Sequence, residues 1–303
     1  MPTSRSDLAD LTYFLAIVRA GTFRRAATEL GVSPSALSHA MRGLEERLGV
    51  RLLNRTNRSV TLTAAGEELR DSVGQPFDLI DSAIERLNRF RESPSGRIRL
   101  NVVEDAAELL VAPVMAEFTR RYPDVELEIL SSNRLVDIVA DGYDAGIRFG
   151  GTIPEDMIAR DLSAPLRWVV VAAPSYLEAH GTPEFLTDIA KHRCLRIRSG
   201  DHTVFDWELA GEDRGVVEVA TPGQITLNES RSMLTMALDG VGLMYGIEAL
   251  VRPHLDAGTL VPVLKQHWLT GDGFQIYWPG RRQVPTGLRL LVDCIRELQP
   301  LGL

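Results

Sequence analysis

Gly21-Thr22-Phe23-Arg24-Arg25-Ala26-Ala27-Thr28-Glu29-Leu30-Gly31-Val32-Ser33-Pro34-Ser35-Ala36-Leu37-Ser38 reads as two short helices joined at a glycine. Gly21 ends the helix before it, and Thr22 caps residues 23–30, with Phe23, Ala27 and Leu30 inward. Gly31 supplies the turn and Val32 plugs the angle. Ser33 is a good N-cap and Pro34 fits a first helical position. The third helix extends to about Leu48, with Leu37, Ala40, Met41, Leu44 and Leu48 as its buried stripe. Ser35, Ser38, His39 and Arg42 fall on the opposite face. Upstream, Asp10 is the expected cap of a helix carrying Leu11, Phe14, Leu15 and Val18 at spacings of 3 and 4. Downstream, residues 52–63 alternate and turn near Asn57, as a two-stranded wing with an arginine-tipped loop would, and Thr63 then caps a long helix.

Helix, glycine turn and a second helix with small polar outward residues follow the logic of a helix-turn-helix that reads duplex DNA. Small side chains at Ser35 and Ser38 let the third helix sink into the major groove, where His39 and Arg42 reach base edges or phosphates, and Ser33 and Pro34 at the helix start are counted among the DNA contacts. Arg24, Arg25, Arg55, Asn57 and Arg58 are placed to hold phosphates and fix register. Net charge is −8, but it is unevenly spread. Arg19, Arg24, Arg25, Arg42, Arg47, Arg51, Arg55 and Arg58 stand against only Glu29, Glu45 and Glu46, a local +5, whereas residues 93–303 carry −9. A basic head on an acidic body suits DNA contact at one end only.

The run from residue 21 to 38 resembles the N-terminal signature of LysR-type transcriptional regulators. The likeness continues through Leu44-Glu45-Glu46-Arg47-Leu48-Gly49-Val50-Arg51-Leu52-Leu53-Asn54-Arg55-Thr56 and Leu62-Thr63-Ala64-Ala65-Gly66. The resemblance implies a homodimeric reader of a pseudo-palindromic operator, with dimers usually pairing into tetramers. RNA polymerase is a further candidate partner, the expected location is cytoplasmic, and no cofactor is expected.

The expected organisation is a winged helix-turn-helix over residues 6–63, a linker helix over 64–91, a hinge at 92–96 and an effector-binding domain over 97–303. Leu69, Val73, Phe77, Ile80, Ile84 and Leu87 repeat at 4, 4, 3, 4 and 3 along the linker helix, a heptad-like seam for a second copy. Pro76 interrupts that helix and should kink it.

From residue 97, strand-like and helix-like segments alternate, an α/β pattern. Strands are expected at 98–103, 125–131, 144–150, 168–172, 225–228, 242–245, 260–264 and 274–278, with helices at 109–121, 229–238 and 287–298. The resemblance extends along this half and implies two lobes like those of periplasmic binding proteins, the first from 97–163 and 267–303, the second from 164–266. Ligands of open α/β sheets bind beyond the carboxyl ends of strands, where the strand order reverses. Residues just after the strands are therefore the candidate effector contacts: Glu104, Asp105, Asn133, Phe149, Ser199, Thr203, Asn228 and Tyr245. Arg148 faces either the cleft or the lobe surface. Many relatives carry small hydroxyl residues after the first sensor strand; here the turn reads Glu104-Asp105-Ala106, which favours a neutral or cationic effector over an anion.

An enzyme with a DNA-binding head finds no support. There is no GxSxG, P-loop, HExxH or helix-opening GxGxxG, and the six histidines are dispersed. Cys194 and Cys294 have no metal spacing and read as two reduced thiols. A purely architectural DNA-binding role leaves the acidic α/β body unexplained. No apolar run reaches a membrane span, and no secretory signal is read at the N-terminus.

Replacing Arg42 by Ala should lower operator affinity more than random-duplex affinity, by about 1–3 kcal/mol of discrimination. Equal losses on both duplexes would remove Arg42 from base reading. Arg58→Ala should weaken binding to all sequences and reduce the salt slope by about 1.

Overall fold

The computed structural model describes residues 5–55, 60–85, 87, 94–200, 203–213, 215–280 and 284–303. It divides into two compact units, Met1–Glu92 with Val139–Gly142, and Ser93–Ile138 with Tyr143–Leu303.

The first unit is built from α1 (Arg5–Ala20), α2 (Phe23–Glu29), α3 (Pro34–Leu48), a ribbon of β1 (Leu53–Arg55) and β2 (Val60–Leu62), and α4 (Ala64–Glu85). Thr22 and Ser33 cap α2 and α3 by accepting the N–H groups of Arg25 and Ala36. Gly31 takes φ +65° between them, a left-handed conformation that only glycine adopts without strain. Phe14, Ile17, Ala26, Ala27, Leu37, Met41, Leu44, Leu52 and Leu53 form the core. Each large apolar side chain buried there contributes about 1.5–3 kcal/mol. Leu48, expected in the inward stripe, is exposed because α3 ends there and Gly49 turns the chain away.

Asp10 is not a helix cap. α1 starts at Arg5, so Asp10 lies inside it and takes a hydrogen bond from the Arg47 guanidinium of α3, which also reaches Asp7. Those carboxylates hold the Arg47 pKa above its ordinary value, with Asp10 the larger cause. Arg19 pairs in the same way with Glu29 at 2.6 Å. Two arginines of the basic head thus serve the fold. Glu45 of α3 accepts the backbone N–H groups of Leu52 and Leu53 at 2.9 and 3.1 Å, which fastens the wing to α3. On the other side Thr63 donates to the Arg51 carbonyl and caps α4 by accepting Gly66 N–H.

α4 continues through Pro76 as one helix of 22 residues. Ile80, Ile84 and Leu87 are exposed, Val73 and Phe77 half-buried, and Leu69 packs onto the core of its own unit. Asn57 and Arg58 lie outside the described residues, and Arg55 enters only through its backbone, paired with Val60.

The second unit has two lobes. The first is a five-stranded sheet in the order β4 (Val125–Ser131), β3 (Gly96–Val102), β5 (Ala145–Phe149), β16 (Phe274–Pro279), β6 (Met157–Asp161). β3 pairs in parallel with both β4 and β5, whereas β16 runs antiparallel to β5 and β6. After β3 the chain is helical over 104–121, from α5 (Glu104–Ala106) through a π turn and a 3-10 turn to α6 (Met115–Arg121). The Glu104-Asp105-Ala106 run is therefore the first turn of a helix, not a loop. α10 (Thr286–Leu298) buries Leu288, Leu291, Val292, Cys294 and Ile295 in the same core as Ile98, Leu100 and Phe118.

The second lobe carries β7 (Leu166–Ala172), α7 (Pro174–His180), β8 (Arg196–Arg198), β9 (Val204–Phe205), β10 (Trp207–Ala210), β11 (Val216–Val219), β12 (Thr226–Leu227), α8 (Ser230–Leu238), β13 (Met244–Ile247), α9 (Glu248–Asp256) and β14 (Val261–Val263). Buried β7 pairs antiparallel with β13, β14 and β15 (Leu269–Gly271). β15 falls in the first lobe by the sequence boundary at 267, yet it belongs to the sheet of the second; the chain returns only at β16. β12 and β8 are parallel, with β9 alongside, and β10 and β11 form a separate ribbon.

Arg47→Met should lower the melting temperature of the N-terminal unit while leaving the salt slope for random duplex DNA unchanged. A flattened slope would show that Arg47 neutralises phosphate after all.

Candidate DNA-binding surface and effector cleft

On α3 the face opposite the core carries Ser33, Pro34, Ser35, His39 and Arg42, all exposed, with Ser38 half-exposed. The Ser33 hydroxyl is engaged as the cap and lies 3.0 Å from that of Ser35. Arg42 donates from Nε to the Ser38 carbonyl of its own helix at 3.4 Å, and its side chain is exposed. Arg24 and Arg25 are exposed on α2. Among the described residues Arg24, Arg25, Arg42 and Arg51 make no ion pair, in contrast to Arg19 and Arg47. A helix with small outward residues, flanked by unpaired arginines and a ribbon, is complementary to a major groove and its phosphates.

In the second unit, β4 and β5 leave β3 in opposite directions, and this reversal gathers their carboxyl ends. Glu104, Asp105 and Asn133 come together there with Asn228, which follows β12. Glu104 N–H donates to Asn133 Oδ1 at 3.1 Å, and Asn133 Nδ2 donates to the Asn228 carbonyl at 2.7 Å. Ser230 donates to Asp105 Oδ2 at 3.1 Å, and Arg231 pairs with Glu108 at 2.7 Å. Beside these contacts is a cavity of about 290 Å³ lined by Glu104, Asp105, Glu108, Ser131, Glu229 and Arg231.

The other expected contacts sit elsewhere. Ser199 and Thr203 bond to one another across a turn, their hydroxyls 2.8 Å apart. Phe149 packs against Trp168 and Phe274, with ring centres 5.6 and 4.9 Å away. Tyr245 is a core residue: it stacks on Trp168 and Trp207 and donates to the Glu208 carbonyl. Its burial pushes the phenol pKa up, further from any proton exchange at neutral pH. Arg148 faces neither cleft nor surface; it is 2% exposed beneath the 132–134 segment. Glu108, Glu229 and Arg231 were not singled out by sequence. The signal for Glu108 was present: read as a helix start, the acidic run puts Glu104 and Glu108 on one face at i, i+4.

Burial and mutual crowding shift these carboxyl groups. Burial pushes the Asp105 carboxyl from 3.8 up to about 6; the Ser230 hydroxyl pulls it down, and Glu104, Glu108 and Glu229 push it further up. Glu104 is raised by burial and by Glu229. At Glu229, burial opposes ionisation, but hydrogen bonds from Ser232 and Arg231 outweigh it and the carboxyl ends below its ordinary value. Among the described residues no group of three or more His, Cys, Asp or Glu is placed to hold a metal ion. The thiols of Cys194 and Cys294 are buried and unbridged, and burial pushes Cys194 up to about 12.

Two family models cover this chain. Residues 8–67 match the bacterial regulatory helix-turn-helix protein, lysR family, and residues 91–300 match the LysR substrate binding domain. The chain belongs to the LysR-type transcriptional regulators. It is 40% identical to a putative transcriptional regulator of Pseudomonas aeruginosa, over 98% of this chain and 97% of the relative. It is 36% identical to the HTH-type transcriptional regulator YcaN of Escherichia coli, over 97% and 96%. Among solved structures, CrgA of Neisseria meningitidis, a LysR-type transcriptional regulator, is similar at 28% identity and TM-score 0.61, covering 98% of this chain and 99% of that one. Full-length AphB of Vibrio cholerae, at 24% identity and TM-score 0.65 over 96% and 99%, shares the fold. This LysR-type regulator is accordingly a DNA-binding transcription factor whose operator binding is modulated through its effector-binding domain. Among the described residues no helix is long and apolar enough to cross a membrane.

The raised Asp105 carboxyl fixes a sign. A folded-state pKa above the unfolded one contributes stability that is present below about 3.8 and is lost as pH rises through about 6. Asp105→Asn should therefore raise the melting temperature of the effector domain more at pH 7 than at pH 5. An equal gain at both pH values would show that Asp105 titrates normally.

Proposed function

We propose that this regulator binds a pseudo-palindromic operator as a homodimer and changes its grip on DNA when a cationic or neutral small molecule enters the acid-lined cleft. The carrying observation is the set of four carboxylates, Glu104, Asp105, Glu108 and Glu229, around one cavity whose single lining cation, Arg231, is already paired with Glu108. Such a lining repels carboxylates and attracts ammonium or guanidinium groups. The remaining candidate contacts, Asn133, Phe149, Ser199, Thr203, Asn228 and Tyr245, stand outside the residues that line this cavity.

Dimerisation is supported by the apolar stripe of α4, where Ile80 and Ile84 stand exposed in a single chain, with Leu87 exposed just beyond the helix end. Their helical spacing suits pairing with the same face of a second copy, and two copies supply the two recognition helices that a two-fold operator requires. DNA contacts fall to Arg24, Arg25, Ser33, Pro34, Ser35, Ser38, His39 and Arg42 with the wing residues Arg55, Asn57 and Arg58. The effector acts by population shift: it binds one arrangement of the lobes better than the other, and that difference sets the limit of its influence on DNA. The role is regulatory rather than catalytic, and it is exercised in the cytoplasm, with RNA polymerase as the partner at an activated promoter.

Two measurements test this reading. Footprinting on the intergenic DNA upstream of its own gene should protect two half-sites about 34–36 Å apart. No preference over random duplex would leave the head a non-specific binder. Thermal melts with butylamine, agmatine and butyrate should show stabilisation by the cations, approaching about 2.7 kcal/mol at a hundred times Kd. Stabilisation by butyrate alone would overturn the effector class.

A further inference from the structure

The two lobes of the effector domain meet at the segment that follows β4, and we infer that Asn133 is a latch holding them together, with the buried Arg148 as the residue that positions it. Asn133 spends its side-chain amide on both lobes. Its Oδ1 accepts the N–H of Glu104, at the start of the first-lobe helix, and its Nδ2 donates to the carbonyl of Asn228, which closes β12 in the second lobe. A primary amide carries a donor and an acceptor on one rigid plane, whereas a carboxylate of the same shape has no donor to give.

A second contact falls on the same segment. A Cβ placed on Gly200, just beyond β8, would stand 2.3 Å from the Asn133 carbonyl oxygen and 3.2 Å from Leu135 N. The second lobe thus touches this loop with bare backbone, and any side chain at 200 would wedge the lobes apart.

Arg148 holds the loop from the side of the first lobe. It donates from Nη1 to the Ser132 carbonyl at 2.9 Å and from Nη2 to the Arg134 carbonyl at 2.6 Å and to Asn101 Oδ1. The guanidinium brackets Asn133 by the carbonyls immediately before and after it. Among the described residues Arg148 meets no carboxylate, and its Nε and Asn101 Nδ2 are buried without a hydrogen-bond partner. Burying a guanidinium on carbonyls alone is a costly way to fill a core, which an apolar side chain would do better. Its rigid fork is suited instead to fixing two carbonyls at a set separation.

The latch borders the cleft. The helix start it holds supplies Glu104, Asp105 and Glu108 to the cavity, and the chain just past Asn228 supplies Glu229 and Arg231. An occupant therefore touches both of the pieces that Asn133 joins. That regulatory consequence rests on the effector reading above; the latch itself does not.

The test is a pulsed electron paramagnetic resonance distance measurement on the full-length chain, without DNA or ligand. Spin labels are placed at Asp124→Cys in the first lobe and Glu178→Cys in the second, both exposed, with labelled chains diluted into unlabelled ones. The buried thiols of Cys194 and Cys294 are shielded from the label. Asn133→Asp keeps the acceptor for Glu104 and sets a carboxylate oxygen against the Asn228 carbonyl. It should lengthen and broaden the distance distribution without changing secondary structure. A distribution that superimposes on the wild type overturns the latch. Arg148→Lys keeps the charge but cannot bracket both carbonyls, and should reproduce the Asn133→Asp distribution, with no further change in the double variant. Wild-type distances in Arg148→Lys, or failure of both Arg148→Lys and Arg148→Gln to fold, overturn the positioning role. Because the readout involves neither operator nor effector, its failure is distinct from failure of the proposed function.

Discussion

Parallel pairing of β3 with both β4 and β5 is the constraint on which the sensor half depends. Parallel neighbours cannot be joined by a tight turn, so the chain must leave β3, cross through the helical stretch 104–121 to β4 on one side, and return to β5 on the other. Loops that leave β3, β4 and β5 at the same end are thereby forced together. Glu104, Asn133 and the segment after Phe149 are distant in sequence, and this reversal is why the first two share a hydrogen bond. The second lobe repeats the logic on a smaller scale: β8 and β12 are parallel, and their carboxyl ends present Gly200 and Asn228 to the same loop.

Charge is handled differently in the two units. In the head, carboxylates are spent on scaffolding: Asp7 and Asp10 bind Arg47, Glu29 binds Arg19, and Glu45 fastens the wing through backbone N–H groups. Among the described residues Arg24 and Arg25 of α2 and Arg42 of α3 make no ion pair and are exposed. In the effector domain the opposite holds around the cleft, where acids outnumber the one paired arginine and burial raises Asp105 and Glu104. A uniform net charge would serve neither purpose. The segregation lets the helix-turn-helix unit approach phosphate while the acid-lined cleft of the effector domain stays hostile to it.

Much of the head was legible in sequence because its determinants are local. Thr22, Gly31, Ser33 and Pro34 act within a few residues of themselves, and periods of 3 and 4 report which face is inward. The structure departs from the local pattern where wider context intervenes. Asp10 looks like a cap until Arg47 is brought to it from α3. Glu104-Asp105-Ala106 looks like a turn until the chain is seen to continue as helix. Tyr245, at a strand where a ligand contact was expected, is claimed by Trp168 and Trp207, whose positions no local pattern announces.

By itself the sequence determined the helix-turn-helix, the α/β character of the sensor and the family to which the chain belongs. These follow from caps, glycine conformations and hydrophobic periodicity, all of which act over one or two turns of chain. Only the tertiary structure decided which strand-end residues meet, that Arg148 lies buried beneath the loop it brackets, and that four carboxylates line one cavity. Those outcomes depend on crossover connections that join residues about a hundred positions apart, as Asn133 and Asn228 are. Such a pairing is set by the packing of two lobes and leaves no periodic trace in either stretch of sequence.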